Sequence, residues 1–198
     1  LDLERVLRAH ERGAEIVVID PRRTFPARLP GATWVPVRPG TDGALMLALT
    51  HEIIKQGLFD RDFLVNYTNS AELVNLDENS SEYGMFVRFE VPEEEGCFDP
   101  QNKLWWDREL NKPISTHTPG ADPYLLGEFK LPDGTPVKPA FQMLTERVQQ
   151  YTPEWAENIT GIPSETIRRL AYEMGITARD EKIELPIAWT DVWDNEHE

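Results

Sequence analysis

The sequence predicts an α/β fold: a partial Rossmann-like domain, a loop-rich insertion, and helices that follow the insertion. Three observations support this prediction. An apolar, β-branched run at 16–19 lies between two helix patterns, as expected for part of a β-α-β unit. Glycine, proline and acidic residues dominate 78–137, and helical periodicity returns from 139 to 175. We therefore divide the chain into residues 1–77, 78–137 and 138–198.

The first part begins with the pattern of a helix followed by two strands. Apolar residues at helical spacing predict a helix over 2–12, and Gly13 supplies its left-handed end. The apolar run 15–19 predicts a strand that is buried on both faces. Pro21 ends that strand because proline has no N–H to donate. A second strand is expected through 34–37.

A long helix over 42–57 is expected next. Residues 44–49 are apolar nearly all round, so we expect the first turns to be buried. A wetter face is expected to follow, formed by His51, Glu52, Lys55 and Gln56. Asp60 then has the position of an N-cap for a short helix.

The insertion carries weaker patterns. A short strand is predicted at 85–89, and 129–137 predicts a hairpin whose turn lies at 133–134. The pair Trp105 and Trp106 indicates that the insertion packs on something. That partner is either an aromatic cluster of its own or a surface outside this chain.

Helical patterns return in the last part. We expect one helix to begin at Pro139, a second near Pro153, and a third over 164–174 with Gly175 behind it. Residues 182–188 alternate like a strand, which a proline confines to a sheet edge or an entry segment.

Composition excludes several classes of function. The net charge of −15 argues against a nucleic-acid binder, which needs a basic face. The one cysteine, Cys97, lies among glutamates that raise a thiol pKa, so we expect a structural residue. The four histidines show no metal-ligand spacing, and no nucleophile–base set is visible. We therefore predict neither catalytic residues nor metal ligands here. No stretch has the length of a membrane span or the character of a signal segment.

Polar residues follow the first predicted strand at its carboxyl end, where open α/β sheets bind ligands. Asp20 can accept hydrogen bonds from ribose hydroxyls, or it can cap its own turn. Arg22 and Arg23 can neutralise a pyrophosphate, or they can simply face solvent. Both alternatives stay open at this point.

A second candidate segment opens the long helix. Thr41 or Asp42 can cap that helix, and free backbone N–H groups would then lie near an anion site. The carboxylate of Asp42, next to Gly40, can also accept the N1–H and the exocyclic N–H₂ of a guanine. Residue pattern alone does not separate guanine binding from helix capping. A Rossmann-like NAD or nucleotide-sugar enzyme and a non-catalytic interaction module are further alternatives, although no G-x-G-x-x-G occurs.

Three stretches resemble the molybdopterin oxidoreductases of the dimethyl sulfoxide reductase family. They are VVIDPRRT, VRPGTDGALMLALTHEIIKQGLFDRDFLVNYT and YTPEWAENITGIPSETIRRLA, and in the insertion the chain is most similar to sulfite dehydrogenase, polysulfide reductase and formate dehydrogenase subunits. The resemblance implies a molybdenum bis-(molybdopterin guanine dinucleotide) cofactor, whose guanosine diphosphate end residues 1–77 would hold. The cofactor-binding residues it implies are Asp20, Pro21, Arg22, Arg23, Thr24, Gly40, Thr41 and Asp42.

The resemblance also implies features that this sequence does not contain. The family's iron–sulfur cluster and molybdenum ligand should lie upstream of Leu1, so we expect a piece of a longer enzyme that is inactive alone. The parent would carry out two-electron redox chemistry on a small molecule. Expected partners are a membrane anchor and an iron–sulfur electron-transfer subunit. The implied location is cytoplasmic and membrane-associated through those partners, with the periplasm as the alternative.

Overall fold

The structure is a computed structural model that describes residues 3–89, 103–116, 118–181, 188–190 and 196–197. The predicted α/β class is confirmed. The helices are α1 (Leu3–Glu11), α2 (Asp42–Lys55), α3 (Arg61–Tyr67), α4 (Ala140–Val148), α5 (Pro153–Thr160) and α6 (Ser164–Asp180). The strands are β1 (Val17–Ile19), β2 (Thr33–Val35), β3 (Leu73–Asn75), β4 (Leu104–Asp107), β5 (Lys112–Ser115), β6 (Phe129–Lys130), β7 (Pro136–Pro139), β8 (Trp189–Thr190) and β9 (Glu196–His197).

The first two strands form a parallel pair in which Val17 lies opposite Thr33 and Ile19 opposite Val35. The prediction that β1 is buried on both faces is wrong for this chain, because Ile19 is 37% exposed. The physical reason is that a strand is buried on both faces only where other layers cover it, and Ile19 lines two surface depressions along β1. Among the described residues, β2 is the one strand that pairs with β1.

The main core lies where α2 packs against α5 and α6. It contains ten buried residues: Val35, Val37, Leu45, Ala48, Leu49, Ala156, Ile162, Ile167, Leu170 and Ala171. Burial of this apolar surface is the main force that holds the three helices together. The first turns of α2 are only partly buried, contrary to our expectation, since Met46 is 47% exposed. One side of α2 faces away from α5 and α6, and Met46 lies on that side.

The prediction that Glu52 lies on a solvent-exposed face of α2 is wrong. Glu52 is 2% exposed, and two cationic side chains and one amide donor lie around its carboxylate. Its carboxylate accepts a hydrogen bond from Gln56 Nε2 at 2.9 Å, and Lys55 Nζ lies 3.4 Å from Oε1. Arg168 Nε of α6 lies 3.9 Å from the same oxygen. A carboxylate can be buried in this way because ion pairs and hydrogen bonds replace its water.

Helix α6 extends beyond its predicted end. We expected Gly175 to follow the helix, yet the helix continues to Asp180. Gly175 is buried inside α6, and its lack of a side chain lets the helix approach Leu58. The glycine therefore serves packing and does not end the helix. The residues that follow it, Ile176 and Thr177, are still part of α6.

Two of the three shorter predictions about helix starts are confirmed. Asp60 caps α3, because its carboxylate accepts the N–H of Phe63 at 2.9 Å. Helix α5 begins at Pro153, as expected. Pro139 occupies the N-cap of α4 and not its first helical position.

The insertion begins after β3 and ends in β7. These two strands are antiparallel neighbours. The predicted hairpin is confirmed: β6 pairs with β7, and Gly134 N donates to Leu131 O at 2.9 Å in the turn. The predicted strand at 85–89 is wrong, since only isolated bridges at Phe86 and Arg88 form there. Only single residues of this stretch meet a neighbouring strand, so no continuous ladder forms.

The two tryptophans of β4 point to different clusters. Trp106 stacks on Phe129 with ring centroids 4.6 Å apart, and Trp105 packs against the cluster around Phe141. This alternation is the two-residue period of a strand. It supports the prediction of a local aromatic cluster. Cys97 and residues 182–187 lie outside the described residues. No described helix is long and apolar enough to cross a bilayer.

Candidate functional site

The candidate site lies where β1 and β2 end side by side. Because the two strands are parallel, the segments that leave them emerge from the same edge of the pair. Asp20 follows β1 directly and is held by β2: its N–H donates to Val35 O at 3.3 Å. The indole N–H of Trp34 donates to Asp20 O at 2.9 Å. These bonds fix the backbone from which the first set of candidate residues projects.

The carboxylate of Asp20 makes the turn contact that one of our two alternatives predicted. Its Oδ1 accepts the N–H of Arg22 at 2.7 Å across Pro21. This Asx turn sets the path of the chain after β1. A carboxylate has about four acceptor sites, so the same side chain can still accept hydrogen bonds from a ligand.

The two adjacent arginines differ in their surroundings. Arg23 Nε donates to Ala27 O at 3.3 Å, and Arg28 Nε donates to Arg23 O at 3.1 Å. Arg23 is therefore part of the 3₁₀ turn at Pro26–Arg28. The Arg22 side chain is exposed, and its guanidinium has no hydrogen-bond partner within the described part of the chain. Arg22 is thus the arginine of this pair that can turn toward a phosphate.

A depression of about 630 Å³ runs along β1. Val6 of α1, β1 itself and Pro26 form its apolar wall, while Asp20 and Thr24 stand at its polar end. Sequence reasoning identified the polar end but missed the wall. The apolar residues that line it carry no sequence signal that separates them from ordinary core residues.

The second candidate segment opens α2. Thr41 occupies the N-cap position, but its hydroxyl does not cap the helix. Instead Thr41 Oγ1 donates to Arg38 O at 2.7 Å. Asp42 is the first helical residue, and its side chain is exposed. The expected side-chain cap at Thr41 is therefore absent, and the first N–H groups of α2 keep the capacity to bind an acceptor.

The loop before α2 leaves room for a ligand. Gly40 has φ of 77°, a conformation that favours glycine, and no atom lies within 4 Å of where a Cβ would stand. The exposed carboxylate of Asp42 lies at the start of α2, beside this loop. An ionised carboxylate only accepts hydrogen bonds. Its natural complement is a ligand edge with two N–H donors, such as guanine.

Sequence reasoning missed one residue of this loop. Arg38 Nη1 donates to Asn158 O at 2.8 Å and to Ile159 O at 3.1 Å, which joins the loop to the end of α5. No sequence signal connects residues about 120 positions apart. Within the described residues, no group of histidine, cysteine and acidic side chains could hold a metal ion.

The parallel pair, the polar strand ends and the open helix start belong to an α/β fold. The particular family follows from a comparison with known proteins. The chain matches the molybdopterin oxidoreductase family over residues 3–174. It therefore belongs to the molybdopterin oxidoreductases, as the resemblance implied.

Three known proteins are similar to much of the chain. A sulfite dehydrogenase subunit of Allochromatium vinosum is 64% identical over 187 residues, which is 94% of this chain and 19% of that protein. The dimethyl sulfoxide/trimethylamine N-oxide reductase of Rhodobacter capsulatus is 29% identical over 160 residues, or 81% of this chain and 12% of that protein. Acetylene hydratase from Pelobacter acetylenicus matches 94% of this chain and 15% of its own, with a TM-score of 0.48 and 23% identity.

The chain thus spans only about a fifth or less of the length of these curated relatives. Family membership implies a molybdenum–molybdopterin cofactor. Membership of this family also excludes the alternative of an unrelated NAD or nucleotide-sugar enzyme.

Proposed function

We propose that this chain holds the guanosine diphosphate end of a molybdopterin guanine dinucleotide in a molybdenum oxidoreductase. The observation that carries the proposal is the exposed Asp42 carboxylate at the start of α2, beside the open space over Gly40. A guanine edge fits there, because its two N–H donors match two carboxylate oxygens. The Arg22 guanidinium, which has no partner among the described residues, suits a pyrophosphate.

Each of the eight candidate residues has a role in this proposal. Asp20 accepts hydrogen bonds from the ribose, and Pro21 sets the turn that presents Arg22. Arg23 and Thr24 shape the segment and extend its polar surface, because Arg23 is tied to the 3₁₀ turn and Thr24 borders the depression. The remaining three, Gly40, Thr41 and Asp42, form the guanine-binding loop.

The whole protein is proposed to be a multi-subunit enzyme. When bound, the molybdenum cofactor supplies two-electron exchange with a small substrate, and the protein contributes binding, orientation and electrostatics. The 64% identity to a sulfite dehydrogenase subunit supports sulfite as that substrate. We further propose a bis-(molybdopterin guanine dinucleotide) form, an iron–sulfur cluster in the same polypeptide, a membrane anchor and an iron–sulfur electron-transfer subunit. A cytoplasmic, membrane-associated location remains our proposal, with the periplasm as the alternative.

Guanine recognition by Asp42 can be tested with three diphosphates. The full-length protein that contains this chain is purified without cofactor, and its affinity for GDP, IDP and ADP is measured by calorimetry. IDP lacks the exocyclic amine, so we expect it to bind about tenfold more weakly than GDP. ADP should bind more weakly still, because adenine presents no N1–H. In Asp42→Ala, GDP and IDP should bind equally.

The matched control is Asp62→Ala. Asp62 is also an exposed acidic residue in the first turn of a helix, α3, but it lies outside the candidate site. Its removal should leave the preference for GDP unchanged. Equal binding of all three nucleotides by the unaltered protein would refute guanine recognition. An undiminished GDP preference in Asp42→Ala would refute the role of that residue.

A further inference from the structure

We propose that Arg38 is a positioning residue, which places the guanine-binding loop by tying it to the C-terminal end of α5. This inference rests on the proposed function of the loop. The inference adds two parts to the proposed site. One is a residue that does not contact the ligand, and the other is a helix that lies about 120 positions further along the chain.

The first part of the link joins Arg38 to α5. Its guanidinium donates from Nη1 to Asn158 O at 2.8 Å and to Ile159 O at 3.1 Å. Its backbone N–H donates to Thr160 O at 3.0 Å. Three successive carbonyls of one helix end are therefore held by a single residue of the loop.

The end of α5 is suited to a cation. The last four carbonyls of a helix lack intrahelical donors, and the helix dipole places partial negative charge there. Gly161 ends α5 in the left-handed conformation at φ of 76°, and its N–H donates to Glu157 O at 2.9 Å. A Cβ at position 161 would lie 3.3 Å from Arg38 Nε. The glycine thus serves both the turn and the close approach of the guanidinium.

The second part of the link joins Arg38 to the helix start. Its carbonyl oxygen accepts the N–H of Thr41 at 3.2 Å and the hydroxyl of Thr41 at 2.7 Å. Thr41 immediately precedes Asp42. The hydrogen-bond chain therefore runs from α5 through Arg38 and Thr41 to the residue that is proposed to read guanine.

The two arginines near the site consequently differ in role. The Arg38 guanidinium is committed to backbone carbonyls, whereas the Arg22 guanidinium has no hydrogen-bond partner among the residues that the structure describes. We expect Arg22 to act on the ligand's charge and Arg38 to act on the loop's geometry. These roles predict that substitution of Arg22 and substitution of Arg38 change the affinities for GDP, IDP and ADP in different ways.

The test uses the full-length protein, purified without cofactor, and the same three probes GDP, IDP and ADP. In Arg38→Met, loss of the two guanidinium hydrogen bonds to α5 should weaken GDP binding about tenfold and bring the affinities for GDP and IDP close together. Arg38→Lys keeps the charge and can reach one carbonyl, so it should recover part of the preference. Gly161→Ala should act in the same direction as Arg38→Met, because it disturbs the contact from the other side.

The matched control is Arg179→Met. Arg179 Nη1 donates to Gly57 O at 3.2 Å across 122 positions, but it does so beyond the other end of α2. This variant should lose comparable stability and keep its preference for GDP. Hydrogen exchange then locates the change: the amides of residues 40–43 should exchange faster in Arg38→Met and not in Arg179→Met.

Three results would overturn the inference. If Arg38→Met weakens all three nucleotides equally and Arg38→Lys restores them fully, Arg38 acts through its charge and not as a positioning residue. If Arg38→Met keeps the GDP preference while Asp42→Ala loses it, the positioning role fails and the proposed function stands. If neither Arg38→Met nor Asp42→Ala loses the preference for GDP, the positioning role of Arg38 and the guanine-binding role of Asp42 are both refuted.

Discussion

Gly175→Ala tests the close packing of α6 against the segment that follows α2. A Cβ at position 175 would lie 2.6 Å from Leu58 Cβ and 3.1 Å from Leu58 Cδ1. The Cδ1 atom can rotate away, but the Cβ atom is attached to the backbone. The substitution therefore forces the two segments apart, and with them the packing that supports α2 and the proposed guanine loop at its start.

The magnitude follows from two opposing effects. Alanine is favoured over glycine inside a helix by about 1 kcal/mol. Overpacking a filled interface costs about 1–3 kcal/mol, and contact with a backbone-bound atom argues for the upper end. We expect a net loss of about 2 kcal/mol in the local free energy of opening. Hydrogen exchange of the α2 and α6 amides in the full-length protein measures this quantity.

Gly43→Ala is the control for helix propensity. Gly43 also lies in a helix, α2, but no atom stands within 4 Å of its Cβ position. This substitution should stabilise the region by up to about 1 kcal/mol, because the gain in propensity meets no clash. If Gly175→Ala stabilised the protein as Gly43→Ala does, the close approach of Leu58 to α6 would be wrong.

Two further predictions concern the insertion. Trp106→Ala removes the stacked contact with Phe129 and should lower the local stability by about 3 kcal/mol. Amide hydrogen exchange in β4 to β7 should therefore become faster. Unchanged exchange would contradict this prediction. Hydrogen bonds from the N–H of Leu110, and then of Asp122, hold the pKa of Asp107 below its ordinary value of 3.8. A lowered carboxyl pKa stabilises the fold above pH 3.8, and this contribution is lost as the pH falls through the folded-state value. The stability difference between wild type and Asp107→Asn, measured by denaturation at several pH values, should therefore be largest near neutrality and shrink in acid; a constant difference would refute this.

Local chemistry made most elements predictable. The Asp60 cap, the hairpin turn ending at Gly134, and the proline that starts α5 each act within a few residues of their own position. The same is true of the polar ends after β1 and before α2. A sequence pattern identified these segments because strand ends and helix starts carry their own residue types.

Long-range packing made other features unpredictable. Glu52 has the residue type of a surface position, yet α6 covers it and Arg168 approaches its carboxylate. Gly175 resembles a helix end, yet it allows contact with Leu58 inside a longer helix. In each case the deciding neighbour lies far away in sequence, where periodicity carries no information.

The candidate site divides in the same way. By itself the sequence determined the α/β class, the family, and the two segments that contain Asp20 and Asp42, because these follow from local residue types and motifs. Only the tertiary structure decided that β1 pairs with β2, and that Arg38 joins the second segment to α5. The physical reason is that hydrogen bonds between residues about 120 positions apart form only after the helices have packed.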